Sequence, residues 1–211
     1  IGKIIINSID DKNEIPYYMS FECNGIELNL KDLGKDAEEL TKLGYTDKLL
    51  VNSTYDYNYN KEKKELDIKE LSIGADNVGK IVTSLQIGNI DINKEQIGSL
   101  IFTFPQFLFQ GANIKYVDDS LIGRLMKAGA EEKQTDVENF KKSGIQEIEQ
   151  EITNEKDEFT KTALGEIKNF IENPKELSIS ASPSKPQPVG RIMRADDPKE
   201  LIKLLNVEIK S

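Results

Sequence analysis

An α+β protein is expected here, built on a large, curved, mostly antiparallel β-sheet (a meander) with three or four amphipathic helices packed on one face. Three observations predict it. Residues 48–92 alternate apolar and polar side chains in several successive runs, which marks strands with one covered and one wet face. Residues 119–174 switch to helical spacing of their apolar residues. Residues 175–211 then return to strand patterning, so the helices are expected as an insertion into one integrated domain. The parts are a β-meander over 1–118, a helical insertion over 119–174, and a strand–helix–strand over 175–211.

Element by element, "KIIIN" opens the chain as a strand and "YYMSFECN" follows as a second. Asn24-Gly25 is a two-residue hairpin signal that sets off a third strand, "GIELNL". Residues 31–48 hold a short helix with Ala37, Leu40 and Leu43 at helical spacing and Asp36 as its cap. In the meander, Val51, Ser53, Tyr55, Tyr57 and Tyr59 share one parity. Leu66 and Ile68 share another, then Leu71 and Ile73, then Ile81, Thr83, Leu85 and Ile87. Residues 94–110 are apolar and aromatic, with Pro105 barring a regular helix. "ANIKYVDD" is one more strand. Three helices follow, the first capped by Asp119 or Ser120, the last stopped by Pro174. Leu177, Ile179 and Ala181 alternate as a strand and "SPSKPQP" is an extended connector. Asp197-Pro198 starts a last helix, and Val207 and Ile209 face inward on a closing strand.

Composition excludes more than it assigns. The chain has 211 residues and a formal net charge of -9, with lysines interspersed among acids. A nucleic-acid partner is disfavoured, because no basic patch is segregated to meet phosphates. Histidine is absent, which removes Ser-His and Cys-His catalysis and the commonest general base. The single cysteine, Cys23, allows no internal disulfide and reads as a small apolar residue on a buried strand face. Neither a metal site nor a cofactor is expected. The most apolar run, residues 98–109, falls short of the roughly 18 residues of a membrane span.

The near-motifs resolve into structure. "GADNVGKI" at 74–81 fits G-x-x-x-x-G-K but carries Ile81 where a phosphate loop needs a hydroxyl, and strand-like residues follow. A hairpin turning through Asp76-Asn77 is the expected outcome. The pairs Asp118-Asp119 and Asp196-Asp197 read as helix N-terminal signals, and Asp10-Asp11 as a turn. Asn52-Ser53-Thr54 is a glycosylation acceptor by pattern, inside a strand. The tyrosine stripe Tyr55, Tyr57, Tyr59 reads as a half-exposed sheet face with hydroxyls in solvent.

"YDYNYNKEKKELDIKELSIGADNVGKIVTSLQIGNI", "LKDLGKDAEELTKLGYTDKLLVNSTYDY" and the closing "FIENPKELSISASPSKPQPVGRIM … DPKELIKLLNVEI" resemble uncharacterised extracytoplasmic proteins of alphaproteobacteria. Those proteins are distantly similar to AsmA-like and YdgA-like proteins. The resemblance covers roughly residues 26–209. It implies an N-terminal leader or membrane anchor, consistent with a start at Ile1, a periplasmic or otherwise extracytoplasmic location, and a sheet of the kind associated with lipid handling at the envelope. This chain departs from those relatives by its wealth of Asn, Lys and Glu.

The expected function is therefore a non-enzymatic extracytoplasmic binding or scaffold module, peripheral to the membrane, holding a lipid or other apolar ligand on a concave sheet. Phe102, Phe104, Phe107, Phe109, Tyr55 and Tyr57 are the expected ligand-binding residues. The alternatives are a structural or protein-interaction subunit of an envelope assembly, with an envelope protein as partner, and a hydrolase using two carboxylates.

Overall fold

The computed structural model describes residues 3–9, 16–46, 48–91 and 100–211. Its strands are β1 (Lys3–Ile9), β2 (Tyr18–Asn29), β3 (Lys48–Asn60), β4 (Glu65–Ala75), β5 (Gly79–Gly88), β6 (Leu108–Asp118), β7 (Glu176–Ala181), β8 (Gln187–Pro188) and β9 (Val207–Lys210). They form one curved, open sheet in the order β1-β2-β3-β4-β5-β6-β7-β9, with β8 pairing β6, and every pairing is antiparallel. The helices are α1 (Asp36–Lys42), α2 (Leu100–Thr103), α3 (Leu121–Glu132), α4 (Val137–Asn154), α5 (Glu158–Glu172), α6 (Val189–Ile192) and α7 (Pro198–Leu205). The three long ones, α3 to α5, lie between β6 and β7 in the chain, as their periodicity predicts.

The meander is a consequence of tight turns. The chain reverses after β3 through residues 61–64 and after β4 through 76–78, with Lys64 (φ 54°) and Asn77 (φ 60°) in the left-handed region. The phosphate-loop pattern is thus a hairpin, as expected. Asn24-Gly25 is not. β2 runs unbroken past it, and two residues there oppose the single Asn52 of β3. The dipeptide makes a bulge: Gly25 takes φ 69° and its N–H donates to Asn52 Oδ1 at 2.8 Å. The hairpin signal lost because β3 supplies a partner for both halves of β2. The Nδ2 group of Asn52 donates to Asp76 Oδ1 at 2.8 Å, so the side chain of the glycosylation pattern is engaged on both its polar atoms.

A second bulge explains why β4 changes parity in sequence. Asp56 pairs Glu70 but Tyr57 pairs Ile68, leaving Lys69 without an opposite residue. That one residue brings Leu66, Ile68, Leu71 and Ile73 to the same face. A third bulge at Gln110 does the same for Phe109 and Ala112 on β6. Through all the pairings the sheet has one apolar face and one polar face. The apolar face carries the β3 stripe of Leu49, Val51, Tyr55, Tyr57 and Tyr59 and its partners. The opposite face carries residues such as Glu27, Asp56, Asp67, Glu70, Ser72, Lys80 and Lys115.

Two small cores hold the ends of that apolar face. At one end Leu30, Tyr45 and Leu49 are buried among Leu28, Val51, Ala37, Leu40, Leu43 and Leu121, so α1 and the start of α3 close over the sheet. The N-cap of α1 is Lys35, without a side-chain hydrogen bond, so the expected capping by Asp36 is replaced by a turn that makes Asp36 the first helical residue. At the other end Tyr57, Tyr59, Ile90 and Phe107 are buried with Leu66, Ile68, Ile87 and Val189 around them. The helical insertion meets β7 and β9 through α5, whose buried Phe170 stands edge-on to Tyr116 at 6.0 Å. Cys23 is buried on the same sheet face, as its parity predicts.

Candidate functional site

Between the two cores the apolar face is open. Register places Ile6, Phe21, Tyr55, Leu71, Thr83, Ile114, Ile179 and Ile209 directly opposite one another from β1 to β9. They form one continuous row across eight strands. A neighbouring row runs Ile4, Cys23, Ser53, Ile73, Ile81, Tyr116 and Leu177. Aliphatic side chains in these rows are unusually exposed for their type: Ile6 65%, Ile4 61% and Ile73 58%, with Ile114, Leu71, Ile81 and Ile179 close behind, whereas Cys23 is buried. On β3 and within the same face, Tyr57 is only 6% exposed. Seven inter-strand steps of about 4.8 Å make the trough about 34 Å long, comparable to the hydrocarbon core of a bilayer.

The expected ligand residues fall into different places. Tyr57 and Phe107 are buried in the end core. Tyr55 bridges that core and the trough, its ring 5.4 Å from Tyr57. Phe109 lies on the apolar face opposite Ile87. Phe104 stacks edge-on against Phe107 at 5.6 Å and is half exposed, while Phe102 points away and is 82% exposed. The tyrosine hydroxyls are tied down rather than wet. Tyr57 donates to the Pro16 carbonyl at 2.6 Å and Tyr59 to the Ile90 carbonyl at 2.9 Å. Burial pushes the Tyr55 and Tyr57 phenols above their ordinary range, and for Tyr57 the neighbouring Tyr55 adds to it.

Of the trough residues, Leu71, Ile73, Ile81 and Ile179 are legible in the sequence as strand positions, but none of Ile6, Leu71, Ile73, Ile81, Ile114 and Ile179 is marked there as a ligand-binding residue. Their alternation is visible, but alternation marks a covered face and an open apolar face equally. The missing signal is pairing register, which only the bulges at Gly25, Lys69 and Gln110 make continuous.

The floor of the α1 end is a polar lock. Arg124 lies over the Tyr45 ring at 4.2 Å and donates to the Leu43 carbonyl at 3.0 Å and Ser120 Oγ at 3.1 Å. Ser120 also meets the Tyr45 hydroxyl and donates to the Asn77 carbonyl. Ser120 occupies the N-cap of α3, one of the two expected positions, but makes no side-chain cap hydrogen bond; Asp118, which accepts from the Ile122 N–H and from the Tyr116 hydroxyl, serves the first turn in its place. Burial first, and then Asp118, raise the Tyr116 phenol.

Among the described residues, Glu27, Glu70, Asp136, Glu155 and Asp157 have carboxyls held below their usual range. In each the leading cause is a hydrogen bond, from Lys48, Lys80, or a backbone N–H at a helix start. A cleft of about 690 Å³ between the end of α5 and β6–β7 is lined by Val117, Asp118, Asn169, Glu172, Lys175 and Glu176 and is open to solvent. No group of three or more His, Cys, Asp or Glu able to hold a metal ion occurs among the described residues. No helix there is long and apolar enough to cross a membrane.

A family model described as "Uncharacterized protein" matches residues 72–211, from the end of β4 through β9. No curated protein and no solved structure matches the chain.

Proposed function

Since the chain belongs to a family described only as uncharacterized protein, its role has to be argued from geometry, and we propose that it is a non-enzymatic binding module that holds a lipid or similar long apolar ligand in the trough across its sheet. One observation carries this: the unbroken row from Ile6 to Ile209, open along its middle while both ends of the same face are closed by packed cores. Contiguous apolar surface of that extent is unusual on a monomeric protein and marks a binding face. An elongated ligand suits it better than a compact one, because the trough is long, shallow and lined by aliphatic side chains with few polar anchors. The resemblance read from the sequence, to extracytoplasmic proteins distantly similar to the AsmA-like and YdgA-like proteins, agrees with the same reading. It also points to a periplasmic location.

Native mass spectrometry of the purified chain, followed by organic extraction, tests it. A discrete adduct that extracts as lipid is expected, and it is lost in the double variant Leu71→Asp, Ile114→Asp. A chain that stays free of adduct when offered fatty acids and phospholipids removes the proposal. The second reading, a subunit that lays this face on an envelope protein, is then favoured, for which β1, the last strand of the sheet among the described residues, offers an edge with Ile4 and Ile6 exposed.

A further inference from the structure

One end of the molecule differs from the rest in both charge and exposure. In an acidic chain, residues 96–117 and 177–195 are two long stretches without Asp or Glu. The fold packs their described parts, 100–117 and 177–195, together at α6 and the turn before β6. The Val189 N–H donates to the Phe107 carbonyl at 2.8 Å, and a Cβ on Gly190 would come within 2.9 Å of Pro105, so α6 is pressed against the turn at Phe104–Gln106. On this tip Phe102 is 82% exposed, Met193 65% exposed, and Phe104 half exposed. Arg191 and Arg194, two of the chain's three arginines, are exposed on either side of Met193, and Lys185 is exposed in the connector that leads to β8. Arg191 is held by Gln187 at 3.2 Å. Of the nearest acids in the chain, Asp197 caps α7 by accepting from Lys199 N–H, and Asp196 is exposed next to it.

We propose that this tip, formed by α2, the turn after it, and α6, docks the protein on an anionic lipid surface, with Phe102, Phe104 and Met193 inserted and Lys185, Arg191 and Arg194 at the headgroups. Three protruding apolar side chains are far too few for a stable protein interface, which takes roughly 20–30 residues a side. A bilayer interface asks only for shallow apolar insertion with cations beside it. The charge is complementary to anionic headgroups locally, while the net charge of -9 repels them elsewhere, so the protein can approach a membrane in one orientation only. The tip adjoins the core of Tyr57 and Phe107, which flanks the trough along one side. It therefore deepens the lipid-binding reading by placing the trough beside a bilayer, yet it rests on different residues.

The test is co-sedimentation of the full chain with vesicles of equal parts phosphatidylcholine and phosphatidylglycerol, against phosphatidylcholine alone. Binding to the mixed vesicles is expected, weakening as salt is raised. The double variant Phe102→Ser, Met193→Ser alters only exposed side chains and should lower partitioning about tenfold or more. Arg191→Ala with Arg194→Ala should cost roughly fivefold per arginine, on the anionic vesicles only. No binding to anionic vesicles, or binding that both variants leave intact, overturns the proposal. The trough variant Leu71→Asp, Ile114→Asp should bind vesicles as the unaltered chain does; loss of vesicle binding there would place the membrane contact on the trough and overturn the tip. Loss of co-purifying lipid with vesicle binding retained, or the reverse, separates failure of one reading from failure of the other.

Discussion

The apolar face of the sheet is one surface by register and two environments by packing. At its ends, Tyr57, Tyr59, Leu49 and Tyr45 are buried under α1, the start of α3, and the α6 tip. In its middle, Leu71, Ile73, Ile81 and Ile114 lie on the same face and are about half exposed. The difference teaches that an amphipathic sheet does not by itself make a core. What makes one is a second layer, and among the described residues the helices reach the two ends and the β7–β9 side. Burial of apolar surface is worth about 25 cal/mol per Å², and the middle of the sheet leaves that free energy unclaimed, available to a ligand.

Stability measurements break or sharpen the contrast most directly. Tyr57→Ala should cost about 3–5 kcal/mol, because it opens a cavity in the end core and leaves the Pro16 carbonyl without its donor. Leu71→Ser, two strand residues further along the same face, should stay within about 1 kcal/mol. Urea unfolding midpoints read both. If the two substitutions cost the same, the middle of the face is not open and the trough does not exist. Next in size, Gly79→Ala should cost about 2 kcal/mol or more. Gly79 sits at φ 152°, and a Cβ there would stand 2.7 Å from the Val117 carbonyl. That loss locates the rigidity of the α1 end in the close pairing of β5 with β6. Tyr59→Phe removes one hydrogen bond, to the Ile90 carbonyl, and should cost about 1 kcal/mol while keeping the core filled.

Much of this architecture can be read in the sequence, and the reasons are local. Period-two alternation names the strands of the meander, and Asp136, Asp157 and Asp197 cap α4, α5 and α7 as their chemistry dictates. Where the reading fails, a distant partner decides. Asn24-Gly25 is a hairpin signal in isolation, but β3 lies alongside both halves of β2 and turns the same dipeptide into a bulge. Phe107 and Tyr57 carry the residue type expected of a ligand site and are consumed in an end core, while aliphatic residues of ordinary appearance form the open face. Which apolar stripe a helix covers is settled by packing between residues far apart in the chain, such as Leu49 with Leu121.

The polar face supplies the last contrast, since its charges stabilise in proportion to how little water reaches them. Lys80 donates to Glu70 Oε1 at 2.8 Å across β4 and β5, with both side chains about four-tenths exposed. The lysine holds the Glu70 carboxyl below its ordinary range, against a smaller opposing effect of burial. A carboxyl depressed in the folded state adds stability above its unfolded pKa and loses it as pH falls through the folded value. Glu70→Gln should therefore lower stability near neutral pH by less than about 1 kcal/mol, because solvent screens an exposed pair. The gap between variant and unaltered chain should close as pH drops through the carboxylate range, and it should shrink with added salt at neutral pH. A gap that persists in acid would mean that Glu70 acts through packing on the polar face rather than through its charge. The two faces would then differ less than register makes them look, with the polar side holding the sheet together by contact as the apolar ends do.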